Sequence, residues 1–146
     1  MAGEIQSFSF KSIVCMLDNN EATGFFEGDD AIMIERNTDT ATPMIGADGT
    51  STVSISADDS AMITLKLQPG SPTNKYLENK HKRQRNGTLQ PFAVTVRDTS
   101  NGEGGSAAQC VIVKRPSRSF GQNATVREWK LFAGAWQDRT QEFLPA

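Results

Sequence analysis

The chain has 146 residues, with 15 lysines and arginines, 17 aspartates and glutamates and one histidine, giving a formal net charge of −2. That length suits a single domain over residues 1–146 with its own core. The sequence contains no run of about 18 apolar residues, so we predict no membrane span. Residues 1–6 lack the pattern of a signal peptide, so we expect folding in a cytoplasm.

Charge is distributed unevenly along the chain. Up to Gly70 there are three basic and eleven acidic side chains, a net charge of −8, and the remainder carries twelve basic and six acidic ones, a net charge of +6. If these portions form separate surfaces, copies of the chain can attract one another.

The first third of the chain predicts two strands and a long loop. Ser7–Leu17 is apolar on both faces near its end, and Phe25–Arg36 alternates after an interruption at Gly28–Asp30. Such alternation is typical of strands, and an internal glycine suggests a bulge. Asn37–Thr50 is polar except for Met44 and Ile45, and a loop of this length is often functional.

Ser51–Leu67 predicts a hairpin with one apolar face and one hydroxyl face. Apolar residues occupy the odd positions Val53, Ile55, Ala57, Ala61, Ile63, Leu65 and Leu67. A three-residue turn at Asp58–Ser60 would pair Ile55 with Ile63 and place both apolar rows on the same side, whereas a two-residue turn would separate them.

A single helix is predicted after this hairpin. Ser71 suits the N-cap, Pro72 suits the first helical position, and Asn86-Gly87 suits the end. Tyr76 and Leu77 are the residues through which we expect the helix to pack against the rest of the domain. Its second half is basic, so we expect it to lie on the outside of a β structure.

Three more strands are predicted, at Thr88–Arg97, Ala107–Lys114 and Asn123–Ala133, with a hairpin tip at Thr99–Ser106. The tail, Gly134–Ala146, carries the three large apolar residues Trp136, Phe143 and Leu144. We therefore expect the tail to pack against another surface. Strand number and turn spacing predict a mainly β fold of two packed antiparallel sheets, a β-sandwich or open barrel, with one peripheral α-helix.

Catalytic chemistry has little support in the residue pattern. His81 lies among lysines and arginines, and no serine or cysteine has a second histidine to work with. Cys15 and Cys110 are interpreted as buried small side chains rather than a disulfide. Asp29-Asp30 and Asp58-Asp59 lie at turns, where aspartate has a local backbone role. We therefore predict no enzyme activity, no metal and no cofactor.

The basic run Lys80–Arg85 leaves two interpretations open. It is either a solvated helix end or a contact for phosphates. The strands carry no aromatic row of the kind that stacks on bases.

The order of several segments resembles the tail tube proteins of bacteriophages, closest to those of contractile tails, a group related in fold to the tube protein of type VI secretion. The resemblance covers nearly the whole chain. It is carried by Ser7-Phe8-Ser9-Phe10, Thr23-Gly24-Phe25, Glu27-Gly28-Asp29, Ile32–Arg36, Ile45–Gly49, the hydroxyl-rich hairpin, Ser71–Asn74 with Leu77, and Glu128-Trp129.

The resemblance implies a structural virion protein. Six subunits would form a ring, and rings would stack head-to-tail into a hollow tube that conducts DNA at ejection. Implied partners are the tail sheath, baseplate, tail terminator and tape measure proteins and DNA in the lumen, without a membrane; the protein would reside in the virion tail and in the host cytoplasm during assembly. The alternatives are a type VI secretion-like tube that carries an effector protein and a monomeric β-sandwich binding module.

Under this interpretation, two groups of residues have expected roles. The hydroxyl face of the hairpin should line the lumen through Thr52, Ser54, Ser56, Thr64 and Lys66. Because a lumen for DNA should be neutral to acidic, Lys66 should have an acidic neighbour and the basic helix run should point elsewhere. Subunits should contact each other through the loop and the tail, at Met44, Ile45, Trp136, Phe143 and Leu144.

Overall fold

The structure is a computed structural model that describes residues 5, 7–87 and 89–139. Its strands are β1 (Ile13–Leu17), β2 (Asn20–Glu21), β3 (Ile32–Arg36), β4 (Ala41–Ile45), β5 (Ser51–Ile55), β6 (Ala61–Leu67), β7 (Phe92–Asp98), β8 (Gly104–Lys114), β9 (Arg127–Ala133) and β10 (Gln137–Arg139). The helix α1 spans Pro72–Arg85, and a 3₁₀ turn spans Phe10–Ser12.

Eight of these strands form one antiparallel sheet, in the order β2-β1-β7-β8-β9-β6-β3, with β10 paired to β8. β4 and β5 form a separate two-stranded sheet. The mainly β fold with a single helix in the described residues, predicted from the sequence, is confirmed.

β6 lies at the centre of the core. Ala61, Ile63, Leu65 and Leu67 are fully buried on one face of the strand, as their period-two spacing predicts. The same face continues through Trp129 and Leu131 on β9, and Ile34 of β3 packs against it. Burying a side chain of this size contributes about 1.5–3 kcal/mol, so this row is a main source of stability.

The predicted hairpin between Ser51 and Leu67 is wrong. β6 pairs with β3 and β9, while β5 pairs with β4, a strand that lies inside the segment predicted to be a loop. Period-two alternation identifies a strand and its apolar face. Because β3 and β5 both alternate, this signal does not say which of them pairs with β6. Partner choice therefore depends on contacts that are distant in sequence.

The beginning of the chain also differs from the prediction. Phe8 and Phe10 precede β1, and Ser9 caps the 3₁₀ turn by accepting a hydrogen bond from the Lys11 backbone amide at 3.3 Å. The long predicted strand is therefore reduced to Ile13–Leu17. In the second predicted strand, only Ile32–Arg36 remains regular, with its isoleucines directed to the core as expected.

The helix begins and ends as predicted. The Ser71 hydroxyl accepts a hydrogen bond from the Thr73 backbone amide at 3.3 Å, and Leu77 is fully buried against the sheet. Near its end, the Gln84 amide donates to the Ile112 carbonyl at 2.8 Å and accepts from the Ile112 amide at 3.1 Å. Gln84 thereby pairs with β8 just beyond the last residue that β7 reaches, Cys110.

Both cysteines are free and buried, as the composition suggested. Burial raises the pKa of the Cys15 thiol to about 12 and that of Cys110 to about 11. Neither thiol is therefore reactive at neutral pH.

Candidate assembly surfaces

In the hairpin formed by β4 and β5, every strand residue except Ala41 is exposed. Cross-strand pairing places Ile45, Val53 and Ile55 on one face, and these side chains are 74%, 56% and 81% exposed. Met44, on the other face, is also exposed. A two-stranded hairpin without further packing is marginally stable in water, so this apolar face is suited to contact another surface.

The residues predicted to line a lumen do not form one face. Thr52 and Ser54 lie on β5, exposed beside Met44 and Thr42, while Ser56 follows β5 and accepts a hydrogen bond from the Asp58 amide. Thr64 lies on β6, between Met33 and Lys130. The shared hydroxyl ladder is absent because β5 and β6 are not neighbours.

Lys66 has an acidic neighbour, as the sequence analysis expected. Its ammonium group lies 2.7 Å from the Asp30 carboxylate, and Glu128 is its cross-strand partner on β9. The hydrogen bond to Asp30 raises the pKa of Lys66, and the same bond lowers the pKa of Asp30. The positive charge on this face of the sheet is therefore locally compensated.

The described part of the tail, residues 134–139, contributes to the core of its own subunit, so the prediction that Trp136 is an inter-subunit contact is wrong. Trp136 is 2% exposed, and its indole N–H donates to Asp138 at 2.8 Å. Asp138 accepts from Arg36 at 2.7 Å, and β10 extends the sheet along β8. Phe143 and Leu144 lie outside the described residues.

An apolar groove of about 1210 Å³ lies where the strands at the two ends of the sheet approach each other. Its walls include Phe8, Phe10, Ile13, Phe25, Ile32 and Ile34. Phe10 packs edge-to-face on Phe25, with ring centroids 5.3 Å apart, and Phe8 is 74% exposed. Sequence reasoning missed this site because its walls come from segments that pair with different neighbours.

A basic patch covers the second half of the helix and the segment after β8. His81, Lys82, Arg85 and Arg115 line one shallow depression. Partial burial and the nearby Arg115 lower the pKa of His81, so this histidine is predominantly neutral at pH 7. Glu78 offsets part of the charge through Arg118, at 3.1 Å.

One aspartate of each acidic pair, Asp30 and Asp58, has a structural role. Asp58 accepts hydrogen bonds from the Ser60 amide at 2.9 Å and the Thr38 hydroxyl at 3.0 Å, and these bonds lower its pKa. In the described part of the chain, no group of three or more histidine, cysteine or acidic side chains is placed to hold a metal ion. The described helix is too short and too polar to span a membrane.

These features describe a β-rich subunit with one large sheet, a separate two-stranded sheet and exposed apolar and basic surfaces. Residues 10–140 match the model of the bacteriophage PhiTE tail tube protein family, so the chain belongs to this family of phage tail tube proteins. It is a structural protein of the virion tail rather than an enzyme.

Comparison with individual proteins gives a result consistent with this family. The chain is 26% identical over 137 residues to structural protein ORF10 of Pseudomonas phage KPP10, with 88% of this chain and 79% of that protein covered.

The fold is similar to that of a chain in the sheath-tube complex of PVC, an extracellular contractile injection system, with a TM-score of 0.65, 13% identity and 91% of each chain covered. A chain of a native gene transfer agent virion gives a TM-score of 0.62 with 16% identity, covering 92% of this chain and 100% of the other.

Proposed function

We propose that this protein forms hexameric rings that stack head-to-tail into the hollow tube of a contractile phage tail, through which DNA passes at ejection. The match of residues 10–140 to a tail tube family carries this proposal. The likeness to a chain of the PVC sheath-tube complex supports the contractile architecture.

In this proposal the partners are further copies of the chain and the sheath, baseplate, terminator and tape measure proteins. DNA occupies the lumen without sequence-specific contacts. Assembly takes place in the host cytoplasm, and the finished tube resides in the virion tail. The basic patch around Arg115 faces away from the lumen, because a strongly basic channel would retain DNA by binding its phosphates.

The lumen is lined by the face of the main sheet that turns away from the core. Lys66 lies on this face, and its pairing with Asp30 keeps it from binding DNA tightly, whereas Thr64, on the same face, is only 6% exposed. Thr52, Ser54 and Ser56 contribute only if the hairpin also reaches the channel. Size-selective thiol labelling of S54C and K66C in assembled tubes tests this: a lumenal cysteine accepts small reagents and resists bulky ones.

The hairpin supplies contacts between subunits through Met44 and Ile45. Both side chains are more than half exposed in the subunit, and an apolar patch of this kind marks an interaction surface. Phe143 and Leu144 are proposed to add contacts of the same type.

Negative-stain microscopy of purified protein at increasing concentration tests the proposal. Six-membered rings or stacked tubes are the expected result. A chain that remains monomeric at high concentration contradicts it and favours a monomeric binding module.

One observation favours a second candidate. The PVC neighbour belongs to an extracellular contractile injection system, which leaves a tube that carries an effector protein as the alternative. Neighbouring genes for capsid and DNA packaging proteins would favour the phage tail.

A further inference from the structure

We infer that a cavity between α1 and the start of β9 is a binding site for a single carboxylate side chain of a protein, held by the Arg127 guanidinium. The cavity has a volume of about 260 Å³, and its walls include Arg118, Phe120, Arg127 and Trp129. Pockets for drug-sized ligands measure about 300–1,000 Å³, so this one suits a side chain better than a complete cofactor. The inference goes beyond the proposed function, because the site lies within one subunit.

Arg127 is a buried cation without a carboxylate partner among the described residues. Its side chain is 8% exposed, and it takes part in none of the ion pairs formed within residues 5, 7–87 and 89–139. Its Nη1 atom donates to the Thr125 hydroxyl at 2.7 Å and to the Thr125 and Val126 carbonyls at 3.3 Å. Because removing a charge from water without a countercharge is costly, entry of an anion stabilises this site.

The free edge of the same guanidinium is accessible from the cavity. Nη1 makes all the hydrogen bonds of Arg127 within the described chain, yet that part of the chain contains no fully buried side-chain nitrogen without a partner. Nε and Nη2 therefore keep accessible surface, and Arg127 lines the cavity. Nε and Nη2 are a parallel pair of donors, which can bind both oxygens of one carboxylate.

The aromatic walls hold the guanidinium and favour a ligand with a short hydrocarbon stem. The Cζ atom of Arg127 lies 5.6 Å from the centroid of the Phe120 ring, within the range of a cation–π contact. Trp129 is fixed because its indole N–H donates to the Asn74 side-chain oxygen at 2.8 Å. Two prolines complete the walls. An acidic side chain offers the matching combination of methylene groups and a carboxylate.

The charges around the cavity call for one more negative group. Its walls carry two arginines and one glutamate. Glu78 is paired with Arg118 at 3.1 Å and is approached by Arg115 at 3.9 Å, which leaves Arg127 uncompensated. One carboxylate balances the charge of the walls, whereas a dianionic phosphate would meet stronger repulsion from Glu78.

Titration with a glutamate derivative tests the site, and the two tryptophans make the readout specific. The Trp129 indole lies in the cavity wall, while that of Trp136 is bonded to Asp138 elsewhere. The ¹⁵N-labelled full chain, kept below the concentration at which it assembles, is titrated at constant ionic strength with N-acetyl-glutamate methylamide or N-acetyl-glutamine methylamide.

The glutamate probe should shift the Trp129 indole resonance to saturation at millimolar concentration and leave that of Trp136 unchanged. The glutamine probe, which lacks the charge, should bind at least about tenfold more weakly. Equal shifts from both probes, or equal movement of both resonances, would overturn the inference.

Variants identify the residue responsible. R127K keeps the charge and loses the paired donors, so it should weaken binding of the glutamate probe by about tenfold. F120A removes the ring beneath the guanidinium at a position that is 86% exposed, so it should weaken binding while keeping the circular dichroism of the wild type. R85Q, in the basic patch, is the matched control and should bind normally. Wild-type affinity in R127K overturns the inference, and wild-type affinity in F120A does so if R127K does not fold.

Two further measurements define the ligand. Inorganic phosphate that shifts Trp129 at lower concentration than the glutamate probe would overturn the carboxylate assignment. R127K chains that assemble at the wild-type concentration assign the carboxylate to a different protein, and folded chains that need a higher concentration assign it to another copy; both results keep the site. Wild-type chains that form no rings or tubes contradict the proposed function and leave the glutamate titration unaffected.

Discussion

At the scale of single residues, Gly105 determines whether the tail can dock. A Cβ atom at this position would lie 2.6 Å from the Gln137 carbonyl oxygen and 2.7 Å from the Trp136 ring. Gly105→Ala should therefore destabilise the subunit by about 1–3 kcal/mol through overpacking. Urea unfolding measures the loss. Gly134→Ala is the control, since its Cβ would meet no atom within 4 Å, and equal stability of both variants would contradict the packing.

The stability that the Trp136 docking site gives the subunit should depend on pH through Asp138. The hydrogen bond from Arg36 lowers the pKa of Asp138, so its contribution is present at neutral pH and is lost as pH falls through the folded-state value. Because the pair is exposed, Asp138→Asn should cost under about 1 kcal/mol at pH 7. The difference between wild type and variant should begin to shrink near pH 3.9, the ordinary pKa of aspartate, and vanish only once the pH is below the lowered folded-state pKa. A difference that grows on acidification would assign the effect to another group.

At the scale of elements, the tail divides into two functional parts. A chain ending at Gly134 loses Trp136 and β10, and removal of a buried tryptophan costs about 3–5 kcal/mol. We expect this chain to be largely unfolded, and thermal melting measures the loss.

A chain ending at Arg139 is the matched variant, because it keeps Trp136 and β10 and removes Phe143 and Leu144. It should fold with normal circular dichroism and fail to form tubes. Normal tubes from this chain would remove Phe143 and Leu144 from the assembly contacts.

At the scale of the whole molecule, charge is partly separated along the sheet. Asp39, Asp48, Asp58 and Asp59 lie in the segment between β3 and β6, whereas Arg118 and Arg127 line a cavity with Pro69, beyond the other end of β6. Stacked copies would thus bring acidic and basic surfaces together. Glu27, Asp29 and Asp30 depart from this separation, because they lie near the same end of β6 as the arginines, although Asp30 is paired with Lys66.

Assembly should therefore slow as salt is added, because the Debye length falls from about 10 Å at 0.1 M to about 3 Å at 1 M. Light scattering during assembly measures the rate. R85Q removes one charge from the basic patch and should show a weaker salt dependence than wild type. A rate that is flat or increases with salt would mean that burial of apolar surface dominates stacking.

The sequence by itself determined the local features of this protein. Alternating apolar residues predicted strands at β3, β6, β7 and β9 and the buried face of β6, and Ser71, Pro72 and Asn86 marked the helix, because these signals depend on neighbours a few residues away. The order of segments also indicated the tail tube family.

Only the tertiary structure decided which strands are partners and which apolar residues are already covered. β5 and β6 alternate alike, yet β5 joins β4 in an exposed hairpin and β6 joins β3 and β9 in the core. Trp136 and Ile45 are both large apolar side chains in polar segments, and one is buried while the other is exposed. The physical reason is that strand pairing and burial depend on long-range packing, which the periodicity of a single segment does not encode.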